Sequence, residues 1–464
     1  MSYASSMRVL GIGEGIDLGS LYMELARTGH EVRVFAGDAE CAGTLAGLVA
    51  TTLDWQAELA WVREAGRDGL VLFETASKGE LQEQLRADGF QVIGGSAFGD
   101  RLESDRAFGQ SVMREVGMQV APTHSFGDFD AGIAFLRAHA GRYVFKPSGS
   151  GFASGRTFVG AMADGADVIA YLGLQRRSWP AGEPVRFVLM KGLDGVEVGV
   201  GAYFDGERFL QPACLDWEHK RFFPGDMGEL TGEMGTLVTY RRSERLFRET
   251  LGRMEDRLRA GRYRGYINVN TIVDEEGVHP LEFTCRFGYP GFAVLQPLQV
   301  GGWEDLFRRM LGDGRDQGPP RLFPTADGYA VGVVLTVPPF PYAAGYERLS
   351  KGLPILFREG LTEDDRRHLH FGEVALEPAV PEGDEASAGT LEDAPRPQLV
   401  TSGVVGYVMV VTGCGPTVPA ARAAAYARVE KVCLPNGRYR RDIGERFLEK
   451  DEARLEAWGW LGRL

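Results

Sequence analysis

The sequence predicts a protein of mixed α/β and α+β class, with an open parallel α/β domain at its N-terminal end and a mixed α/β domain at its C-terminal end. Three observations predict this. The chain starts with a strand, a glycine turn, a helix and a second strand. Its middle is dominated by two-residue alternation broken by turns. Its last third returns to strand and helix after an acidic stretch.

The first strand is MRVLGIG (7–13), followed by the amphipathic LGSLYMELARTGH and the strand EVRVFAG. GLVLFE (69–74) and FQVIGG (90–95) add two strands, so residues 1–104 read as one open sheet domain. A helix, SDRAFGQSVMREVG, then leads to Pro122 and the strand-like RYVFKPSGSGFASGRTFVG. VRFVLMKGLDGVEVGVGAYFDG, a Gly-rich polar loop (216–236) and YRGYINVNTIVDEEGVHPLEFTCRFG complete a mostly antiparallel α+β block. Residues 105–315 are taken as this second domain, with a lid subdomain at about 120–188, and 316–464 as the third. The acidic, Pro/Ala/Gly-rich stretch 377–397 reads as a solvated loop before VGYVMVVTG and the helix AARAAAYARVEKV.

At 464 residues the chain has room for three domains of roughly 150 residues each. Its 51 basic and 64 acidic residues give a net charge of −13, which disfavours general binding to nucleic acid or to an anionic membrane. An anionic substrate must then be caught by a local cluster of cations. The five cysteines (Cys41, Cys214, Cys285, Cys414, Cys433) lack C-x-x-C spacing, which argues against a zinc site or a disulfide framework. No stretch approaches the ~18 apolar residues of a membrane span, and MSYASSMRVLGIG lacks the apolar core of a secretory signal. A cytoplasmic location is expected.

Gly11, Gly13 and Gly15 lie between the first strand and its helix, where backbone N–H groups can meet an anion. Ile16 occupies the place of the next glycine in a dinucleotide fingerprint, so the alternatives are a tight turn without ligand or a substrate pocket. Lys146 closes an apolar strand and precedes a run of glycines and small residues; either an anion-binding flap or a plain surface hairpin fits that pattern. In YINVNTIVDEEGVHPLEFTCRFG, alternation puts Asn268 and Asn270 on one face of a strand, and Glu282, Thr284 and Arg286 on one face of the next. Paired as an antiparallel hairpin, Asn270, Glu282 and Thr284 would present oxygen atoms together, the donors that Mg²⁺ prefers; a half-buried hairpin with a solvated polar face is the alternative.

Four stretches bring these hints into one order: ESDRAFGQSVMREVGMQVAPT with VFKPSGSGFASGR; DWEHKRFFPGDMGELTGEMGTL; YRGYINVNTIV with LEFTCRFGYPG; and AGYERLSKGLPI with AAAYARVEKV and YRRDIG. Over almost its full length the chain resembles the phosphoribosylamine–glycine ligase family of the ATP-grasp superfamily, whose loop reads D-H-K-R…G-D-x-G…T-G-G-M-G. The resemblance implies an ATP-grasp fold and an ATP-dependent ligase that joins a carboxylate to an amine through an acyl phosphate, with Mg²⁺ (or Mn²⁺). It implies small-molecule carboxylate and amine substrates, no nucleic-acid or membrane partner, and a monomer or homodimer. Arg106 and Lys146 stand where the family holds the α- and β-phosphates, and Ser148, Gly149, Gly151, Ser154 and Gly155 form the flap of the same ATP site. Leu189, Met190, Lys191 and Gly192 would be the hinge that meets adenine through its backbone, and Glu197 the ribose ligand. His219, Lys220 and Arg221 match the loop on the acyl-phosphate side, Arg286 the arginine beside the transferred phosphoryl group, and Asn270, Glu282 and Thr284 the metal positions.

The sequence departs from the family where the family contacts phosphoribosylamine. The family's G-S-G-G-R-E-H is here GIGEGIDLG, and its G-P-E-x-P-L is FETASKGEL. In the metal motif, Thr284 replaces an asparagine, Tyr289 an aspartate and Gly291 a glutamate. The expectation is a ligase divergent from glycinamide ribonucleotide synthetase; the alternatives are that enzyme itself and an ATP-binding protein without turnover.

Overall fold

The computed structural model describes residues 6–147, 157–180, 182–312, 322–342, 344–378 and 397–462. The flap residues Ser148, Gly149, Gly151, Ser154 and Gly155 and most of the acidic stretch 377–397 lie outside these.

The N-terminal sheet is parallel and five-stranded, in the order Ala50–Thr52, Glu31–Ala36, Arg8–Gly13, Gly69–Phe73, Val92–Ile93. Its central strands are nearly all buried, as expected when helices cover both faces, and this explains why they read as continuous apolar runs in the sequence. Three of the five strands were legible that way, and Glu31–Ala36 was legible by its strand-like alternation. The edge strand Ala50–Thr52 was not, because its residues are exposed or half-buried and show no apolar pattern.

An eight-stranded antiparallel sheet forms the centre of the molecule. Its order is Val278–Thr284, Gly265–Val273, Val196–Phe204, Cys214–Glu218, Gly235–Thr239, Tyr329–Thr336, Tyr407–Gly415, Leu369–Phe371. Strands from both sides of residue 315 lie in this one sheet, with Gly235–Thr239 paired to Tyr329–Val333. The Gly-rich polar loop expected at 216–236 is corrected by the structure. It contains the end of the strand Cys214–Glu218, a small hairpin of Arg221–Phe223 and Met227–Leu230, and the start of Gly235–Thr239. Leu215 and Trp217 enter the core while Cys214, Asp216 and Glu218 face a cavity, so the alternation is real but its polar half is charged.

A four-stranded sheet, Thr123–Phe126, Phe187–Lys191, Tyr143–Pro147, Phe158–Val159, carries the helices Phe129–Ala138 and Ala166–Ser178. It has its own core, in which Phe187 stacks on Phe129 and lies 5.2 Å from Phe145. Each such buried phenylalanine contributes roughly 1.5–3 kcal/mol, enough to hold this layer together and to fix the strands that carry Lys146 and Met190.

Candidate active site

The hairpin expected from alternation is formed. Asn270 pairs with Glu282 and Asn268 with Thr284, with a bulge just beyond Asn270. Ile267, Val269 and Phe283 turn into the core, which forces the intervening Asn268, Asn270, Glu282 and Thr284 to the opposite face. That face lines a cavity of about 340 Å³, and Glu282 also borders a second cavity of about 580 Å³. Lys220 and Thr231 are the other residues common to both.

The larger cavity has the character of an anion site. Arg106, Arg142, Lys146, Lys191, Lys220 and Arg221 line it, against the two carboxylates Glu197 and Glu282. In a chain of net charge −13 this is the local cation cluster that an anionic ligand requires. Arg106 begins the helix Arg106–Glu115, whose cap Asp105 accepts from the Phe108 N–H, an interaction of about 1 kcal/mol that fixes where the guanidinium starts. Its Nη1 lies 3.4 Å from Glu282 Oε2, and Lys146 Nζ lies 3.7 Å from the same oxygen. Lys146 holds Glu282 down to about pKa 2, with Lys220 and Arg106 adding to the effect against burial. Burial lowers the pKa of Lys146, as do its cationic neighbours Arg106 and Lys220, while Glu282 opposes the shift.

On the wall between the cavities, Lys220 Nζ bridges Glu197 Oε1 (3.0 Å) and Glu218 Oε2 (2.9 Å). Burial disfavours the ammonium, but Glu197, Glu218 and Glu282 together raise its pKa well above the usual lysine value. Asn270 Nδ2 donates to Glu197 Oε1 at 3.0 Å. Burial disfavours ionised Glu197, yet Lys220 and this amide keep it below the ordinary carboxylate range. Glu282, Asn270 and Thr284 supply only oxygen on the hairpin face, and Glu282 is ionised at any working pH, so the donor set fits a hard divalent cation. Among the described residues no group of three or more His, Cys, Asp or Glu is arranged as a metal cage; such a cation would draw its remaining ligands from phosphate and water.

The smaller cavity is acidic. Asp216, Glu218, Glu233 and Glu282 face it, against Lys220 and Arg286. Arg286 Nε is fixed by Glu103 Oε1 at 3.0 Å, and the other oxygen of Glu103 accepts from the Cys285 N–H. Sequence reasoning missed Asp216, Glu218, Glu233 and Glu103. A signal existed for three of them: Asp216 and Glu218 alternate with the apolar Leu215 and Trp217, and Glu233 stands in TGEMG where the resembled loop has a second glycine.

The N-terminal loop resolves the question left by Gly11, Gly13 and Gly15. A Cβ on Gly13 would meet Glu74 Oε2 at 2.5 Å, and one on Gly11 would strike the Tyr22 ring. Glu74 is buried and accepts from the Asp17 N–H (2.6 Å), the Leu18 N–H (3.4 Å) and Tyr22 Oη (2.7 Å). Gly13 therefore makes room for an internal carboxylate and Gly11 for the Tyr22 ring that donates to it, and that carboxylate takes the backbone donors at the start of the helix Gly19–Arg27. Burial and the nearby Asp17 push Glu74 up to about pKa 8. Lys78 Nζ pairs with Glu14 Oε1 at 2.7 Å and ties the two divergent loops together.

Three of the expected site residues sit apart from their sequence neighbours. His219 borders neither cavity: it is buried, its Nε2 accepts from the Gly444 N–H at 3.3 Å, and burial beside Arg446 and Arg440 lowers it to about pKa 4. Arg221 lines the larger, cationic cavity and not the acidic one. Leu189 is fully buried in the core of the four-stranded layer, so only Met190, Lys191 and Gly192 of the hinge reach the cavity. The N–H groups of Lys191 and Gly192 are already donated to the carbonyls of Pro122 (2.9 Å) and Arg142 (2.7 Å).

Among the described residues no helix is long and apolar enough to cross a membrane. Residues 104–292 match the family described as "Phosphoribosylglycinamide synthetase, ATP-grasp (A) domain". The chain is 25% identical over 460 residues to the phosphoribosylamine–glycine ligase of Neisseria meningitidis, covering 96% of this chain and 100% of that protein. It is 29% identical over 377 residues to the enzyme of that name from Corynebacterium ammoniagenes, covering 79% of each. The crystal structure of phosphoribosylamine–glycine ligase from Thermotoga maritima superposes with a TM-score of 0.68 at 22% identity, over 94% of this chain and all of that one. Residues 104–292 thus match an ATP-grasp domain family, and over most of its length the chain is similar to phosphoribosylamine–glycine ligases.

Proposed function

We propose that the chain is an ATP-dependent carboxylate–amine ligase that works through an acyl phosphate and has diverged from glycinamide ribonucleotide synthesis. The observation that carries this reading is Glu282, shared by a cationic and an acidic cavity and flanked by Lys146 and Arg106. A group at that junction can meet a nucleotide on one side and a second substrate on the other. Phosphoryl transfer asks a protein for alignment and charge neutralisation above all.

In this reading ATP lies in the larger cavity. Lys146 and Arg106 hold its α- and β-phosphates, Met190, Lys191 and Gly192 border the adenine, and Glu197 takes the ribose hydroxyls; the flap Ser148, Gly149, Gly151, Ser154 and Gly155 belongs to the same site. Glu282, Asn270 and Thr284 would hold Mg²⁺ (or Mn²⁺), which supplies neutralisation of phosphate charge when bound. Arg286, steadied by Glu103, orients the substrate carboxylate in the smaller cavity, and Lys220 stabilises the negative charge that develops between the two sites. Arg221 belongs with the ATP side, and His219 is assigned a structural role. The division at residues 104 and 315, with a lid at about 120–188, a monomer or homodimer and a cytoplasmic location complete the proposal.

Divergence is supported by the N-terminal loops. Glu74 takes the N–H groups of Asp17 and Leu18, and GIGEGIDLG and FETASKGEL lack the arginine, histidine and proline pattern of the resembled family. The second reading, phosphoribosylamine–glycine ligase itself, is favoured by similarity that spans the whole of the Neisseria meningitidis enzyme. One assay tests both. ADP release and hydroxamate formation are followed with ATP, Mg²⁺, hydroxylamine and a panel of carboxylates that includes glycine, alongside glycine with phosphoribosylamine. A hydroxamate from a carboxylate other than glycine supports the divergent ligase. Turnover with glycine and phosphoribosylamine alone selects the second reading. ATP binding with no ADP release on any combination overturns both.

A further inference from the structure

The acidic cavity holds more carboxyl oxygen than the chain itself satisfies. Asp216 and Glu233 are each more than nine-tenths buried, with 6% and 5% of their surface exposed. Asp216 Oδ2 accepts from Asn268 Nδ2 at 2.6 Å, but its Oδ1 has no hydrogen-bond partner, and neither has Glu233 Oε1. Thr236 Oγ1 and Tyr289 Oη line the same cavity and are likewise without partners. Lys220 does not answer this surplus, since its ammonium is bound to Glu197 and Glu218. Unpaired buried carboxyls cost several kcal/mol in a folded chain unless something completes them. Burial, with Glu218 beside it, lifts Asp216 to about pKa 7, and burial with Glu218 and Asp216 lifts Glu233 well above the ordinary range, the pattern of a site missing a cation.

We propose that Asp216 and Glu233 seat the ammonium group of the amine substrate, so that the nucleophile enters this cavity as a primary organic cation. An ammonium carries three N–H donors and no acceptor, which matches two carboxyl oxygens flanked by two hydroxyls. The placement follows from local structure: Asp216 points into the cavity because Leu215 and Trp217 are anchored in the core. Glu233 is set by its own N–H, which donates to Tyr407 Oη at 3.1 Å, and by the Met234 N–H, which donates to the His219 carbonyl.

The chemical step rests on the ligase reading. The ammonium R–NH₃⁺ gives one proton to a seating carboxylate, and the freed nitrogen lone pair attacks the carbonyl carbon of the acyl phosphate. The C–N bond forms, the bond from that carbon to the bridging oxygen of the phosphate breaks, and phosphate leaves with that electron pair; the nitrogen then sheds a second proton to water.

The test separates binding from chemistry. n-Butylammonium chloride and its uncharged counterpart 1-butanol are titrated into the full chain at constant ionic strength, followed by saturation-transfer NMR. The cation should bind about tenfold or more tightly than the alcohol, and Asp216→Asn and Glu233→Gln should each weaken the cation about tenfold while leaving the alcohol unchanged. Equal binding of cation and alcohol, absence of cation binding, or loss of the cation to millimolar MgCl₂ would overturn the proposal. The wild-type comparison stands even if a variant does not fold. Hydroxamate formation measured on the same protein keeps the two readings apart. If it is absent while the cation binds, only the ligase reading falls; if it is present without cation binding, only this inference falls.

Discussion

The two cavities that meet at Glu282 share one wall yet carry opposite surpluses of charge. On one side six cations face Glu197 and Glu282; on the other four carboxyl groups face Lys220 and Arg286. Both lie in one chain and share Lys220, so the contrast comes from which residues of each strand point which way. A strand such as Cys214–Glu218 sends its acids into the smaller cavity, while Arg106, Lys146 and Arg221 arrive at the larger one from three separate elements. Under the proposed function, a site of each sign would let an anionic nucleotide and a cationic nucleophile approach one reacting carboxylate from opposite sides without competing.

The largest expected effect comes from removing the shared boundary. Glu282→Ala should lower ADP formation at least about 1000-fold with the circular dichroism spectrum unchanged; turnover within tenfold of wild type would break the link between the cavities. Next, Lys146→Met should weaken ATP binding about 10- to 100-fold and adenosine binding hardly at all, read by competition with a fluorescent nucleotide. Equal losses for both ligands would show that the larger cavity does not sort by phosphate charge. The smallest effect is on stability. The folded-state pKa of Asp216, about 7, lies above its ordinary value of 3.8. Its contribution is therefore fully present below the ordinary value and is lost as pH rises through about 7. Denaturant melts of wild type should lose stability across that interval, and Asp216→Asn should flatten part of the slope, leaving the portion due to Glu233. Identical slopes would mean that the acidic cavity is not short of a cation.

Much of this arrangement was legible in the sequence, and the reasons differ by region. The buried parallel strands announce themselves as apolar runs, and the metal-type hairpin follows from the alternation of Asn268, Asn270, Glu282 and Thr284 against Ile267, Val269 and Phe283. The hinge was readable only to its end, because Leu189 and Met190 are adjacent apolar residues whose faces depend on packing against Phe145 and Phe187. Glu74 was hidden because its role depends on N–H groups 56 and 57 residues away. His219 sits in a motif that suggests chemistry, yet the link between the strands Cys214–Glu218 and Arg221–Phe223 that brings Lys220 to the cavity turns its neighbour towards Gly444. Asp216, Glu218 and Glu233 fell within the stretch 216–236 read as a Gly-rich polar loop, whose many glycines masked the alternation of Asp216 and Glu218 with Leu215 and Trp217.

The pairing of Gly235–Thr239 with Tyr329–Val333 sets a limit on how the chain can be shortened. A truncation after Gly312 would strip away the strand that covers this edge and leave a row of backbone donors and acceptors open to solvent. Such a bare, apolar rim invites another copy to add its own strand, so the expected product of removing the last third is self-association rather than a smaller enzyme.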